Sequence, residues 1–149
     1  MEGSPSSPYP ASTPAIAFLY LATIVTVEED GIWKPAHEVA RTRGTLHIIT
    51  AWNPGDERPT RAENDRANAA LHADLVARGL TPFPALGSDP NSSHAEESWA
   101  VTGLDDATTR ALGAKYGQIG VFRITHDRQT VLACFDDWQV ARGLEVHLR

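Results

Sequence analysis

The sequence predicts an α+β domain in which two helices pack on a mainly antiparallel sheet of about five strands. Three observations support this prediction: a helix-start signal before a helical apolar stripe, several short segments with strand-like alternation, and turn residues between neighbouring segments. After an N-terminal helix and strand element, the order is β, α, β, β, α, β, β, which favours helices on one face of the sheet. At 149 residues, with 42% apolar residues, the chain has the size and composition of one folded domain.

The domain is expected to occupy residues 15–135. Residues 1–14 are rich in proline and serine and are predicted to form a disordered tail, because such a composition cannot bury enough surface to offset the entropy of ordering. Residues 136–149 are interpreted as a C-terminal extension.

Two elements are predicted before the first long helix. Residues 15–27 begin with helix formers and end with β-branched residues, which predicts a short helix passing into a strand. Residues 45–52 form the clearest strand, and their apolar side chains on both faces predict a central position. A turn should follow, because Pro54 favours an extended Asn53 and Gly55 tolerates positive φ.

The first long helix is predicted over residues 60–78. Thr60 and Glu63 match a capping box, and Gly79 provides the C-terminal stop. The expected buried stripe consists of Ala67, Leu71, Leu75 and either Ala70 or Val76. Asn64 and Asn68 lie four residues apart at the edge of this stripe.

The second half of the chain repeats the alternation of short strands and a helix. Strands are predicted at 81–86, 96–102, 119–125 and 129–135, with a loop at 87–93 and a helix from Asp105 to Gly117. Within the strand 96–102, Glu96 and Glu97 must face opposite sides of the sheet, so the two carboxylates cannot act as a catalytic pair.

Five ordered segments carry a family resemblance. They are Thr50-Ala51-Trp52-Asn53-Pro54, Asn64 with Asn68, Gly87-Ser88-Asp89-Pro90, Glu96-Glu97-Ser98-Trp99-Ala100-Val101 and Tyr116-Gly117-Gln118. In this order and spacing they resemble the bacterial domain-of-unknown-function 3293 family, from roughly Phe18 to Phe135. The resemblance implies a small bacterial cytoplasmic domain and implies no particular activity. Residues 91–94 depart from the pattern, since similar proteins often place a Trp there.

Charge and composition weigh against several functional classes. The net charge of −6 and the scattered basic residues argue against a nucleic-acid partner. The single cysteine, Cys134, fits a reducing cytoplasmic compartment and is expected to be a buried, inert thiol. The apolar run at 15–27 is too short to span a membrane. His94, Glu96 and Asp89 could supply metal ligands, but their spacing matches no metal motif, so neither metal nor cofactor is expected.

Polar side chains from four segments form the candidate ligand-binding site. They are Trp52, Asn53, Asn64, Asn68, Glu96, Ser98 and Gln118. Buried amides and hydroxyls are costly unless they are hydrogen-bonded, so these groups either satisfy one another locally or bind a ligand.

The leading hypothesis is therefore a non-catalytic or weakly catalytic binding domain whose cleft holds a small polar molecule or a protein partner. One alternative is a hydrolase acting on a nucleotide-like or amide substrate, with Glu96 as general base and Arg61 or Arg66 holding an anion. Another is an interaction or assembly module, including a homo-oligomer, that uses a sheet edge or the apolar tail residues Trp138, Val140 and Leu144.

Overall fold

The computed structural model describes residue 9 and residues 13–55, 57–91 and 94–145. Most of the predicted disordered tail therefore lies outside the described residues. Within the described residues the chain forms four helices, α1 (Ala15–Leu21), α2 (Ala36–Arg43), α3 (Arg61–Ala77) and α4 (Asp106–Lys115). The same part of the chain forms eight strands, β1 (Ile24–Glu29), β2 (Ile32–Pro35), β3 (Leu46–Ile49), β4 (Phe83–Ser88), β5 (Ala95–Val101), β6 (Gly120–Ile124), β7 (Arg128–Ala133) and β8 (Gln139–Gly143).

All eight strands of the described chain join one sheet in the order β2-β1-β4-β5-β3-β6-β7-β8. Every neighbouring pair is antiparallel. The predicted central strand is confirmed: β3 lies between β5 and β6, and its four residues are all buried. The α+β class is thus confirmed, although five strands and two helices understate the architecture.

Helices cover both faces of the sheet, which corrects the expectation that they share one face. Alternate residues of β3 explain the difference. Leu46 and Ile48 face a core shared with α1 and α2, whereas Ile49 faces a second core shared with α3 and α4. Because both faces of the central strand are apolar, both need a covering layer.

One short helix and the two edge strands were absent from the predicted set. Helix α2 is short and mostly polar, β2 has four residues of which none is buried, and β8 has only Val140 buried among its five residues. Because β8 pairs with β7, one edge of the sheet is formed by residues 139–143, beyond the predicted domain end at residue 135. The hydroxyl of Tyr9 donates to the carbonyl of Ala141 and accepts from its N–H, at 2.9 Å in each case.

The apolar tail residues are used inside the fold. Val140 is 1% exposed, while Trp138 and Leu144 pack against the first core. These side chains therefore do not form the free surface that the interaction hypothesis placed there.

The start of α3 follows its sequence signal. The Thr60 hydroxyl accepts from the Glu63 N–H at 3.1 Å, and the Glu63 carboxylate accepts from the Thr60 N–H at 2.9 Å. The second bond lowers the pKa of Glu63 from its ordinary value. Along the helix, Leu71 and Leu75 are buried as predicted, but Asn64 and Asn68 complete the stripe. Ala70 and Val76 are exposed, which corrects their predicted place in it.

Candidate functional site

The loop that follows β3 is held against α3 by asparagine side chains. Asn68 Oδ1 accepts from the Ala51 N–H at 3.1 Å, and Asn64 Oδ1 accepts from the Asn53 N–H at 3.0 Å. Asn64 Nδ2 in turn donates to Asn53 Oδ1 at 3.0 Å. Beyond Ile49 the backbone no longer pairs with neighbouring strands, and buried N–H groups need other hydrogen-bond partners. These side-chain bonds supply the partners. They also explain why the strand ends earlier than predicted.

Asn53 adopts a left-handed conformation with a φ of +48°, which corrects the extended conformation expected before Pro54. Asn tolerates this region better than most residues, and here both its N–H and its side chain are bonded to Asn64. Gly55 has positive φ as predicted, at +57°, and its N–H donates to the Gly117 carbonyl at 2.9 Å.

The segment after α4 closes on the same loop. Gln118 Nε2 donates to the Trp52 carbonyl at 3.1 Å and to the Tyr116 carbonyl at 3.3 Å. Gly117 has a φ of +74°, and a Cβ at this position would lie 2.6 Å from Pro54 Cβ. A side chain at Gly117 is therefore excluded by both conformation and space.

Trp52 and Glu97 lie on the α3 side of the sheet. The Arg61 guanidinium stands 5.2 Å from the centre of the Trp52 ring and forms an ion pair with Glu97. Trp52 is 9% exposed, and its Nε1 lacks a hydrogen-bond partner among the described residues. The prediction that the two glutamates face opposite sides is confirmed, since Glu96 lines a cavity on the other face. Arg61 is consequently separated from Glu96 by the sheet.

Glu96 extends the asparagine network into that cavity. Its Oε2 accepts from Asn53 Nδ2 at 3.0 Å and lies 3.1 Å from His94 Nε2. Among the described residues its Oε1 has no hydrogen-bond partner. A chain of contacts thus runs from Asn64 through Asn53 and Glu96 to His94.

The cavity has a volume of about 380 Å³ and lies between α1 and the sheet. Its apolar lining side chains come from α1, the sheet and the segment before β6: Ile16, Leu19, Tyr20, Ile48, Ile119 and Phe122. Its polar lining side chains are Thr23, Thr50, Asn53, Arg58, Ser88, Asp89, His94, Glu96 and Ser98. The cavity therefore combines apolar and polar side chains.

The structure divides the seven predicted site residues into two groups. Asn53, Glu96 and Ser98 line the cavity. The other four hold the loop or stand behind it: Trp52, Asn64, Asn68 and Gln118. Their assignment to a ligand site stays a prediction, and their hydrogen bonds show how they shape its wall.

Arg58 lines the cavity but was not among the predicted site residues. Arg58 is exposed, donates to the Glu57 carbonyl at 3.2 Å, and has no carboxylate partner within the described chain. It lies in the loop between β3 and α3, where neither helical nor strand periodicity marks a position. Only its place in a loop pointed to Arg58, because loops on a rigid scaffold often carry binding residues.

Other reactive groups lie away from the cavity. Burial raises the pKa of the Cys134 thiol to about 12, so this side chain is a poor nucleophile. His47 is buried with Nε2 2.8 Å from Asp106 Oδ1, and Asp106 also pairs with Arg123. Across the described ranges, no three His, Cys, Asp or Glu side chains are grouped to hold a metal ion. None of the helices in those ranges is long and apolar enough to cross a membrane.

Comparison with known proteins yields one match. A family model described as a protein of unknown function (DUF3293) matches residues 49–121. The matched segment begins in β3, ends in β6, and contains both asparagines of α3, Glu96 and Gln118. No curated protein and no solved structure matched the chain.

Proposed function

Because the chain belongs to the DUF3293 family, whose description assigns no activity, we propose a function from the geometry: the cavity beside α1 binds a small polar molecule. The observation that carries the proposal is the convergence of Asn53, Glu96 and Ser98, predicted as ligand contacts, on one cavity that also has apolar lining side chains. Its volume of about 380 Å³ lies within the range of roughly 300–1,000 Å³ typical of ligand sites.

In this proposal the remaining polar residues act as a frame. Asn64 and Asn68 fix the backbone of residues 51–53, and Gln118 fixes the carbonyl of Trp52. The Asn53 side chain is thereby held with its amide directed at Glu96. A binding group held in this way loses little side-chain entropy when a ligand arrives.

The two adjacent glutamates provide a matched test. Glu96→Gln changes a carboxylate that lines the cavity, whereas Glu97→Gln changes its neighbour on the opposite face, which is paired with Arg61. We would screen amino acids, nucleosides and nucleotides by thermal shift and map hits by amide NMR. A true ligand should raise the melting temperature, shift amide signals around Ile48 and Phe122, and lose affinity in Glu96→Gln but not in Glu97→Gln.

Two results count against binding in this cavity. One is that no compound stabilises the protein. The other is that the shifted amides map to the α3 face, around Trp99, instead of to the cavity.

The His94–Glu96 pair supports a second candidate, a hydrolase acting on an amide or nucleotide-like substrate. An imidazole nitrogen 3.1 Å from a carboxylate oxygen is a common arrangement for moving a proton, with Glu96 as general base towards water. Arg58, rather than Arg61 or Arg66, is the guanidinium that lines this cavity and could hold an anion. Product formation from a screening hit, lost in Glu96→Gln while binding persists, would select this candidate over simple binding.

A further inference from the structure

We infer that the ligand of this cavity carries a hydrogen-bond-donating group, such as an amine, amide or amidine, at one end and an anionic group at the other. This inference rests on the proposed binding function. It is drawn from two charged side chains, Glu96 and Arg58, that line the same cavity and still have binding capacity.

Glu96 selects the donor end. Its Oε2 is occupied by Asn53 and His94, while Oε1 accepts no hydrogen bond from any described residue. The Glu96 side chain as a whole is 28% exposed and is therefore partly withdrawn from water. A carboxylate oxygen only accepts hydrogen bonds, and bonds to it from a charged or polar N–H are among the strong ones. A ligand acceptor placed there would be repelled.

Arg58 selects the anionic end. Its guanidinium is exposed and forms no ion pair within the described ranges, in contrast to Arg61, which is tied to Glu97. The planar fork of guanidinium donors matches carboxylate and phosphate oxygens. Because Arg58 is exposed, its contribution should be modest and should weaken with salt.

Apolar side chains line the same cavity. They include Ile48 and Phe122 from the sheet, and the Tyr20 ring of α1 lies against Phe122 with centroids 6.4 Å apart and planes at 48°. An apolar or aromatic part of the ligand would contact these side chains. The inferred class is therefore a small molecule with a flat or apolar body, a nitrogen donor and an acid group.

A set of benzene derivatives tests each end separately. The probes are benzamidine, with a donor only; benzoate, with an anion only; benzamide, which is neutral; and para-amidinobenzoate, which has both groups. Dissociation constants would be measured by amide NMR titration of the full chain. We expect para-amidinobenzoate to bind tightest and benzamidine to bind tighter than benzoate.

Two variants should act on different ends. In Glu96→Gln, the side-chain oxygen can still accept from Asn53 while an NH2 replaces Oε1. Amidine probes should therefore weaken by roughly tenfold or more, and benzoate should not weaken. Arg58→Gln should weaken only the two carboxylate probes, by about two- to fivefold at low salt. Glu97→Gln and Arg66→Gln, which alter charges outside the cavity lining, serve as matched controls.

The outcomes separate this inference from the function on which it rests. If probes bind the cavity but benzoate equals or exceeds the amidines, or Glu96→Gln leaves the amidines unchanged, the assignment of a donor end is wrong. If Arg58→Gln leaves carboxylate probes unchanged, the anionic end is wrong. If no probe shifts cavity amides and the metabolite screen also finds no ligand, the binding function itself fails.

Discussion

Asn68→Ala should loosen the loop after β3 without changing a side chain that lines the cavity. The Asn68 side chain is 6% exposed and makes two hydrogen bonds, accepting from the Ala51 N–H and donating to the Glu97 carbonyl at 3.3 Å. Its backbone carbonyl, which accepts from Trp99 Nε1, would be unaffected by the substitution. The change therefore isolates the contribution of one amide side chain.

The two lost bonds differ in cost. Ala51 is 1% exposed, so its N–H is left buried without a partner, which costs about 1–3 kcal/mol. The Glu97 carbonyl still accepts from the Thr50 hydroxyl at 2.6 Å, so loss of its second donor adds little. Alanine is a better helix former than asparagine by roughly 0.5–0.7 kcal/mol, which offsets part of the loss. The net decrease in the free energy of unfolding should be about 0.3–2.5 kcal/mol.

Urea unfolding at neutral pH measures this decrease, and thermal melting should show a drop of roughly 2–4 °C for each kcal/mol. Arg66→Ala, an exposed change in the same helix, is the control and should stay within about 0.5 kcal/mol of the parent. Hydrogen exchange should speed up at Ala51 in Asn68→Ala alone. If both variants unfold at the same urea concentration, the asparagine does not hold the loop as reasoned.

Three further predictions concern other regions. Gly113→Ala should destabilise the protein by about 1–3 kcal/mol in urea unfolding, because the new Cβ would lie 2.4 Å from Cys134 Sγ and 2.7 Å from Val121 Cγ1; a smaller side chain at 134 should restore part of the loss. Asp74→Asn should destabilise more at about pH 7 than at about pH 2. A hydrogen bond from Lys115 lowers the pKa of Asp74, so its stabilisation is complete above the ordinary pKa of 3.8 and is lost as pH falls through the lower folded value. The difference in unfolding free energy between parent and variant at the two pH values checks this, and a constant difference would contradict it. Cys134 should resist alkylation by iodoacetamide at about pH 8 until urea unfolds the chain, since burial raises its pKa to about 12, and rapid labelling of the native protein would refute that.

The parts of the fold that local chemistry specifies were predictable from the sequence. The capping box at Thr60 and Glu63 and the alternating faces of residues 96–101 each depend on neighbouring residues only, and both are confirmed. Strand β8 was not predictable in this way, because it is recognisable as a strand only through its pairing with β7. Helix α2 is mostly polar and is stabilised by a few buried residues, Ala36, Val39 and Ala40, whose role depends on the sheet face above them.

The candidate site shows the same division. Polar side chains from separate segments were predicted to gather, and the Asn64–Asn53–Glu96 chain of hydrogen bonds joins three of them. Which amides face the cavity and which support the loop was not predictable, because that depends on the left-handed turn at Asn53. The position of Arg58 was not predictable either, because it follows from the path of the loop.

The Asn53 side chain has two structural roles. Its oxygen accepts a hydrogen bond from Asn64 in the first turn of α3, and its NH2 donates to the Glu96 carboxylate in the cavity. If the cavity binds a ligand as proposed, a replacement of Asn53 that suits a different ligand would also remove bonds that hold the loop. Substitutions at Arg58 and His94 should disturb the fold less, because both side chains are exposed and neither holds the loop against α3. Saturation mutagenesis scored only for folded protein should accordingly accept most substitutions at 58 and 94 and few at 53.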